Sequence, residues 1–219
     1  MTRVKICGIR NESDLDCAVR AGADAVGFLT GRIHVSEHLI SASAAARLAK
    51  ACPPFVQPVL VTHFTDPGEI AELAEITGIR TIQLHGGSSP EQIAALRGRL
   101  PPASKLIAAV HLTAEKQLPG LMAYFPSADA ILLDSVLPEQ NRVGGTGIPC
   151  DWELAARFAA SSPLPVILAG GLAADNVAAA IVKVRPFAVD ANSRLKNDLG
   201  EVDFERCRAF CRAAADALR

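Results

Sequence analysis

Short apolar runs alternate with amphipathic stretches along the whole chain, and most of these runs are apolar throughout. Strands buried on both faces of a parallel sheet have this pattern, because neither face meets water. The pattern predicts eight strands, at residues 3–8, 24–29, 56–63, 81–86, 105–111, 130–135, 165–171 and 187–192.

The segments between these runs have the start and stop signals of helices. Thr65 or Asp66 is expected to cap one helix, with Pro67 in its first turn and Gly78 at its end. The segment 113–125 is the weakest prediction, because a Pro-Gly pair interrupts it. Further helices are predicted to begin near Ser41, Ser88 or Ser89, Asp151, Ala173 and Asp203.

Eight strand–helix units in 219 residues match a (β/α)8 TIM barrel of the α/β class. Half of the residues are hydrophobic and no shift in composition divides the chain, so we expect one domain over residues 1–219. The alternative is an open doubly wound sheet. That fold usually has fewer strands and a GxGxxG first turn, whereas the first turn here reads CGIRNE.

The charge and hydropathy of the chain exclude several classes of protein. A net charge of −1 argues against binding to nucleic acid or to a membrane surface, since both usually need a basic patch. No apolar run approaches the roughly 20 residues that cross a bilayer. The N-terminal residues MTRVKICG also lack the apolar stretch of a signal peptide, so we expect a cytoplasmic protein.

The six cysteines are scattered and include no CxxC pair. Cys207 and Cys211 are one helical turn apart, but no histidine is near them in sequence, so no metal site is expected. Most of these thiols should be small buried hydrophobic groups. Cys7 is the exception, because it ends the first predicted strand.

In a TIM barrel the active site forms at the C-terminal ends of the strands. Any strand must end in something polar, so a single residue there is weak support for a site, whereas the whole set is suggestive. Reading off these ends gives Cys7, Gly8, Phe28, His63, Gln83, His85, His111, Asp134, Gly170, Gly171, Asp190 and Asn192.

The seventh and eighth units have the clearest signal for a ligand. In LAGGLAADNV two glycines, Gly170 and Gly171, separate a strand from a helix, and VDANSR ends the eighth strand with polar side chains. The loops after strands seven and eight are the usual phosphate site of this fold, where backbone N–H groups face the anion. We therefore predict a small phosphorylated molecule as the substrate.

Cys7 and Asp134 are a candidate acid–base pair. An ordinary thiol has a pKa of about 8.5, so a modest shift would supply a thiolate base near neutrality. Asp134 ends a strongly apolar strand, where burial would help it to hold and donate a proton. An isomerase needs a base that removes one proton from the substrate and an acid that donates one proton to it.

A series of motifs in order, from about residue 3 to residue 210, resembles the phosphoribosylanthranilate isomerases of tryptophan biosynthesis. They are KICGI, AGADAVGF, IQLHG, LLDS followed by GGTG and DW, ILAGGL with NV, and VRPFAVDANS. The resemblance implies a cofactor-free barrel without a metal, active as a monomer or a homodimer. It implies an Amadori rearrangement of N-(5'-phosphoribosyl)anthranilate to 1-(2-carboxyphenylamino)-1-deoxyribulose 5-phosphate.

The resemblance also implies roles for individual residues. Cys7 would remove the proton from sugar C2, and Asp134 would protonate the ring oxygen as the furanose opens. Residues 142–147, RVGGTG, suit a loop that closes over the substrate. Gly170, Gly171, Asn192 and Ser193 would hold the phosphate, and Gln83 and Asp190 would line the pocket.

Two loops depart from the family pattern. His38 or a residue near it stands where the family has an arginine that meets the anthranilate carboxylate, and Arg32 could reach in from a different loop position. Arg194 replaces a glycine of the eighth loop and, with Lys196, adds charge beside the phosphate site. The alternatives are a related sugar-phosphate or Amadori-type isomerase with a different aglycone, and a non-catalytic barrel that binds a phosphorylated ligand. Retention of both acid–base residues argues against the last.

Overall fold

The structure is a computed structural model that describes residues 1–31, 38–112, 118–137, 142–143 and 151–218. Eight parallel strands form a closed ring, in which β1 pairs with β2 and β8, and β5 pairs with β6. Closure confirms the predicted TIM barrel and excludes the open sheet. The strands are β1 (Arg3–Cys7), β2 (Ala25–Leu29), β3 (Gln57–Thr62), β4 (Thr81–Leu84), β5 (Lys105–Leu112), β6 (Ala130–Leu137), β7 (Val166–Leu168) and β8 (Ala188–Ala191).

A helix follows each of these strands in the chain, and the caps at Asp66 and Ser89 lie where the sequence predicts them. Asp66 accepts hydrogen bonds from the backbone N–H groups of Gly68 and Glu69, and Ser89 forms a capping box with Gln92. The helices are α1 (Glu12–Ala21), α2 (Ala42–Ala51), α3 (Pro67–Thr77), α4 (Pro90–Arg97), α5 (Leu118–Met122), α6 (Trp152–Ser161), α7 (Val177–Val184) and α8 (Phe204–Asp216).

Two predicted helices differ from the structure. α7 begins at Val177 and not near Ala173, because the Asn176 side chain accepts a hydrogen bond from the Ala173 N–H and holds a turn before the helix. α5 is one short turn around the Pro-Gly pair that weakened its prediction. A further short strand, Arg142–Val143, pairs antiparallel with the end of β6.

Alternation along each strand divides the core into two layers. In β1, Val4 and Ile6 pack outward against the helices, whereas Lys5 and Cys7 face the barrel interior. Phe28 is fully buried in the outer layer, so it is not a rim residue as its strand-end position had suggested. The interior is filled by Leu29, Val59, Val61, Ile107, Ala109, Leu132, Ile167, Ala169 and Ala188.

The same alternation selects which strand-end residues point into the barrel mouth. Positions two residues after an interior residue are again interior, so His63 follows Val61 and Asp134 follows Leu132 on the inner face. Polar side chains of separate strands are thereby brought to one end of the barrel. Among the described residues, no helix is long and apolar enough to cross a membrane.

Candidate active site

A cavity of about 170 Å³ opens at the C-terminal end of the strands. It brings together most of the residues that the sequence predicted for the site. Arg194 is not part of its lining, and Arg32 lies outside the described residues. His63 and His85 line it as well. The predicted site residues along its walls are Cys7, His38, Gln83, Asp134, Gly170, Gly171, Asp190, Asn192 and Ser193.

A buried ion pair lies at the floor of the cavity. Lys5 Nζ donates to both carboxylate oxygens of Asp190, at 2.9 Å each, and the two residues are only 3% and 7% exposed. Burial alone would lower the pKa of Lys5, but the facing Asp190 carboxylate and Cys7 outweigh it, so the pKa is raised. A positive charge is therefore held beneath the mouth of the barrel.

Cys7 lies next to this pair at the end of β1, and Gly27 of β2 leaves room for it. A Cβ on Gly27 would lie 2.7 Å from Cys7 Sγ and 3.1 Å from Lys5 Nζ. Burial raises the pKa of Cys7, and the nearby Lys5 and Lys196 cations oppose that shift without reversing it. The shift is opposite in direction to the one the sequence had suggested, because the strand end is more enclosed than a rim position normally is.

Asp134 lies on the inner face of β6 and is 5% exposed. His85 Nε2 lies 3.4 Å from Asp134 Oδ2, and the Gln83 amide nitrogen lies 3.2 Å from His85 Nδ1. With the amide nitrogen as the donor, His85 Nδ1 accepts and Nε2 is the ring nitrogen that faces Asp134. Gln83, predicted as a wall of the pocket, thus orients the imidazole that meets Asp134.

Two more histidine rings extend this row across the barrel mouth. The His63 and His85 ring centroids are 5.2 Å apart, the His85 and His111 centroids are 5.5 Å apart, and both pairs are edge to face. The sequence placed all three at strand ends but assigned none a role. Among the described residues, no group of three or more His, Cys, Asp or Glu side chains is arranged to hold a metal ion.

The loop after β7 exposes backbone N–H groups to the cavity. Gly170 and Gly171 have φ values of 89° and 62°, a left-handed conformation that strains any residue with a side chain. Within the described chain, the N–H groups of Gly171 and Ser193 donate no hydrogen bond. Two loops therefore present free donors at one end of the cavity, as the sequence predicted for an anion site.

Asn192 joins this end of the cavity to β1. Gly8 has φ +76°, and a Cβ there would lie 2.7 Å from Asn192 Oδ1. The same oxygen is buried, and no described residue donates a hydrogen bond to it. The absence of a side chain at Gly8 therefore leaves the room that the Asn192 amide occupies.

Lys196 and His38 form a third contact around Gly8. Lys196 Nζ donates to the Gly8 carbonyl at 3.0 Å and lies 2.9 Å from His38 Nδ1. An ammonium group has no acceptor, so His38 Nδ1 accepts and the ring proton is on Nε2. The cavity wall at His38 therefore contains a fixed N–H donor.

Arg194 turns away from the cavity. Its Nη1 donates to the Gly171 carbonyl at 3.1 Å and its Nη2 donates to Asp175 Oδ2 at 2.7 Å.

The remaining cysteines that the structure describes have environments typical of thiols that serve only for packing. Burial raises the pKa of both Cys207 and Cys211 to about 12, whereas Cys150 lies outside the described residues.

Sequence reasoning missed Lys5. The available signal was a lysine in the middle of an otherwise apolar strand, where strict alternation places it inside the barrel. A buried ammonium needs a partner, and only the closure of β1 onto β8 shows that the partner is Asp190.

Comparison with known proteins gives a consistent result over the whole chain. The family model for N-(5'phosphoribosyl)anthranilate (PRA) isomerase matches residues 4–213. The N-(5'-phosphoribosyl)anthranilate isomerase of Natronomonas pharaonis is 42% identical over 216 residues, which is 98% of this chain and 98% of that protein.

Solved structures agree in fold and in length. The phosphoribosyl anthranilate isomerase of Thermotoga maritima is 34% identical with a TM-score of 0.84, and the match covers 98% of this chain and 99% of that chain. Another solved isomerase, in complex with reduced 1-(o-carboxyphenylamino)-1-deoxyribulose 5-phosphate, is 32% identical with a TM-score of 0.82. That match also covers 98% of this chain and 99% of the other.

Proposed function

The chain belongs to the N-(5'-phosphoribosyl)anthranilate isomerase family, and we propose that Cys7 and Asp134 perform the two proton transfers of that reaction. The protein is an isomerase of tryptophan biosynthesis that converts an aldose to a ketose. The observation that supports the assignment is that this thiol and this carboxyl group line one cavity from different strands.

The reaction is a sequence of bond changes without an external reactant. Asp134 gives a proton to the ring oxygen while the bond from that oxygen to C1 breaks and the anilino nitrogen forms an iminium with C1. The iminium acidifies the C2 proton, which passes to the Cys7 thiolate and leaves an enol. The Cys7 thiol then returns its proton to C1, and the Asp134 carboxylate takes the proton of the C2 hydroxyl, which gives the ketone and restores both groups.

The Lys5 cation supports Cys7 as the base. The pKa of Cys7 is raised by burial, so a thiolate forms there only against a desolvation cost. Lys5, held by Asp190 beneath the thiol, is the cation that offsets part of this cost. A thiolate that is costly to form is also a stronger base toward the C2 proton.

The two glycine-containing loops are the proposed phosphate site. The free N–H groups of Gly171 and Ser193 suit the phosphate oxygens, and Gly170 and Asn192 complete the same end of the cavity. A phosphorylated substrate agrees with the ligand of the solved relative, a deoxyribulose 5-phosphate.

His38 is the proposed donor for the substrate carboxylate. Lys196 holds the His38 proton on Nε2, and the adjacent ammonium adds attraction for an anion. One N–H group is weaker than the two-pronged contact of an arginine, so Arg32 remains a proposed second contact. Because His38 replaces that arginine, a related isomerase with a different aglycone is the second candidate function.

The proposal includes the chain as one domain of residues 1–219 that works in the cytoplasm without a cofactor. A monomer and a homodimer are both compatible with the family. Light scattering during gel filtration distinguishes these two states directly.

The decisive experiment follows the loss of anthranilate fluorescence when the protein receives phosphoribosylanthranilate. Cys7→Ser and Asp134→Asn should each lower kcat/KM by about 10²–10⁴-fold, the usual contribution of a general acid or base. Cys52→Ser, at a half-buried thiol outside the cavity, is the matched control and should retain activity. Full activity in either site variant would disprove the acid–base assignment.

The second candidate is tested with an analogue that lacks the carboxylate, the phosphoribosyl conjugate of aniline. A true anthranilate isomerase prefers the carboxylated substrate, and His38→Ala should reduce that preference. If the wild-type protein turns over the aniline conjugate equally well, the natural aglycone is a different one.

A further inference from the structure

One side chain ties together the two loops of the proposed phosphate site. Arg194 follows β8, and its guanidinium reaches back to Gly171 and Asp175 in the segment after β7. We propose that Arg194 is a positioning residue for bound phosphate, which fixes the Gly171 peptide and does not itself bind the anion. The inference rests on the phosphate-binding role proposed above for these loops.

The Gly171 carbonyl oxygen is the point at which Arg194 acts. It accepts one hydrogen bond from Asn176 Nδ2, at 2.9 Å, and one from Arg194 Nη1, at 3.1 Å. A carbonyl oxygen has two lone pairs, so both of its acceptor positions are filled. Asn176 also accepts from the Ala173 N–H at 2.9 Å, which holds the segment on the other side of the same turn.

Fixing this oxygen also fixes a donor. In a trans peptide the carbonyl of one residue and the N–H of the next point in opposite directions. With the Gly171 carbonyl turned toward Arg194 and Asn176, the Leu172 N–H is turned the opposite way. Leu172 lines the cavity, and no described residue accepts a hydrogen bond from its N–H. Arg194 thus orients the Leu172 N–H, a backbone donor with which it makes no contact.

The flexibility of the two glycines explains why hydrogen bonds to the Gly171 carbonyl are needed. Gly170 and Gly171 both occupy the left-handed region, and a residue without Cβ rotates between left- and right-handed conformations at little cost. If the loop backbone can rotate so that its N–H groups no longer face the cavity, it must lose this conformational freedom each time an anion binds. The hydrogen bonds from Arg194 and Asn176 remove this freedom beforehand, so less binding free energy is spent on ordering the loop.

The charge of Arg194 is already matched. Its second donor group meets the Asp175 carboxylate at 2.7 Å, and the two side chains are 35% and 66% exposed. These two contacts hold the guanidinium against Gly171 and Asp175, and Arg194 is not among the residues that line the cavity. The structure therefore favours the donor geometry of Arg194, rather than its charge, as the source of its effect.

The test uses inorganic phosphate as the probe and titration calorimetry as the measurement. Arg194→Met should raise the dissociation constant of phosphate, and the KM of the substrate, by about three- to tenfold, the usual effect of one hydrogen bond. The kcat should stay within about twofold, because Cys7 and Asp134 are untouched. Arg208→Met, at an exposed arginine paired with Glu205 in α8, is the matched control and should change neither constant.

Two further variants separate positioning from direct binding. Asp175→Ala removes one anchor of Arg194, so positioning predicts weaker phosphate binding, whereas a direct ligand freed from its partner would bind phosphate at least as well. Asn176→Ala and Arg194→Met act on the same carbonyl, so positioning predicts that their effects on phosphate affinity are not additive. Unchanged phosphate affinity in Arg194→Met, or tighter binding in Asp175→Ala, would overturn the proposal.

Because calorimetry does not depend on turnover, the isomerase mechanism and the positioning role of Arg194 are tested independently. A protein that binds phosphate through Arg194-dependent loops but leaves the substrate unchanged would contradict the isomerase mechanism alone. An active enzyme whose phosphate affinity is the same in wild type and in Arg194→Met would contradict the positioning role alone.

Discussion

Lys5 Nζ lies 2.9 Å from each carboxylate oxygen of Asp190, which joins the first and last strands of the barrel by a buried ion pair. The two residues are 185 positions apart in the chain, and β1 and β8 pair in register where Lys5 faces Asp190. The ion pair therefore stabilises the contact between β1 and β8 that closes the ring, directly beneath Cys7.

We expect Lys5→Met to impair both stability and catalysis. Removing the ammonium leaves the Asp190 carboxylate buried without its partner, which typically costs about 3–5 kcal/mol of unfolding free energy. Urea denaturation measures this loss. The variant should also have a lower kcat, because the thiolate of Cys7 loses its nearest cation.

A double variant separates these two effects. Lys5→Met with Asp190→Leu replaces the pair by apolar groups, so most of the lost unfolding free energy should return. The kcat should remain low, since the cation is still missing. Recovery of both quantities would mean that Lys5 has only a structural role.

The pH dependence of Cys7 alkylation tests the environment of the thiol. Because burial raises its pKa, reaction with iodoacetamide should increase with pH around a midpoint above the ordinary value of about 8.5. Asp190→Asn removes an anion that favours the thiol form, so the midpoint should fall. Peptide mass spectrometry follows each cysteine separately.

Cys52 is the internal control for this measurement. Burial raises its pKa too, but no charged neighbour contributes to that shift, so its midpoint should not respond to Asp190→Asn. A Cys7 midpoint at or below the ordinary thiol value in the unliganded protein would contradict the raised pKa of Cys7.

Gly8→Ala should disturb the site more than its backbone conformation alone explains. The new Cβ would lie 2.7 Å from Asn192 Oδ1, so the Asn192 amide must move and the KM should rise. Gly78→Ala is the matched control, because Gly78 has a similar φ of +70° and a Cβ there meets nothing within 4 Å.

Both variants should lose about 1–2 kcal/mol from left-handed strain. Thermal unfolding measures that shared cost, and steady-state kinetics measures the difference. Equal KM values for the two variants would show that the contact of Gly8 with Asn192 does not matter to substrate binding.

Asp129→Asn should destabilise the opposite end of the barrel in a pH-dependent way. The Asp129 carboxylate accepts from Arg97, Lys105 and the Leu106 N–H. Burial alone would raise the pKa of Asp129, but these donors outweigh it and the pKa is lowered. A lowered pKa stabilises the fold above the unfolded value of about 3.9, and this contribution is lost as pH falls through the folded pKa.

We expect a loss of about 1–2 kcal/mol at pH 7, reduced because the carboxylate is partly exposed to solvent. Denaturation at pH 7 and near pH 3 should show the difference from wild type shrinking at the lower pH. Asp16→Asn, in an exposed pair with Arg20, should change little at either pH. A loss for Asp129→Asn that is equal at both pH values would contradict the lowered pKa.

Sequence alone predicted the eight strands, most helix starts and the end of the barrel at which the cavity opens. These depend on local physics, since an apolar run, a capping side chain such as Asp66 and a glycine stop such as Gly78 each act over a few residues. It also placed Cys7, Asp134 and the glycine loop at strand ends, where the resemblance to a family suggested their roles.

Only the tertiary structure decided how these residues meet. Whether Lys5 finds Asp190, whether Arg194 faces the cavity or Gly171, and whether Cys7 is enclosed enough for its pKa to rise all depend on ring closure. Each of these contacts joins residues that are far apart in the chain or on different strands. Local sequence sets the direction of a side chain, but the pairing of β1 with β8 determines what it meets.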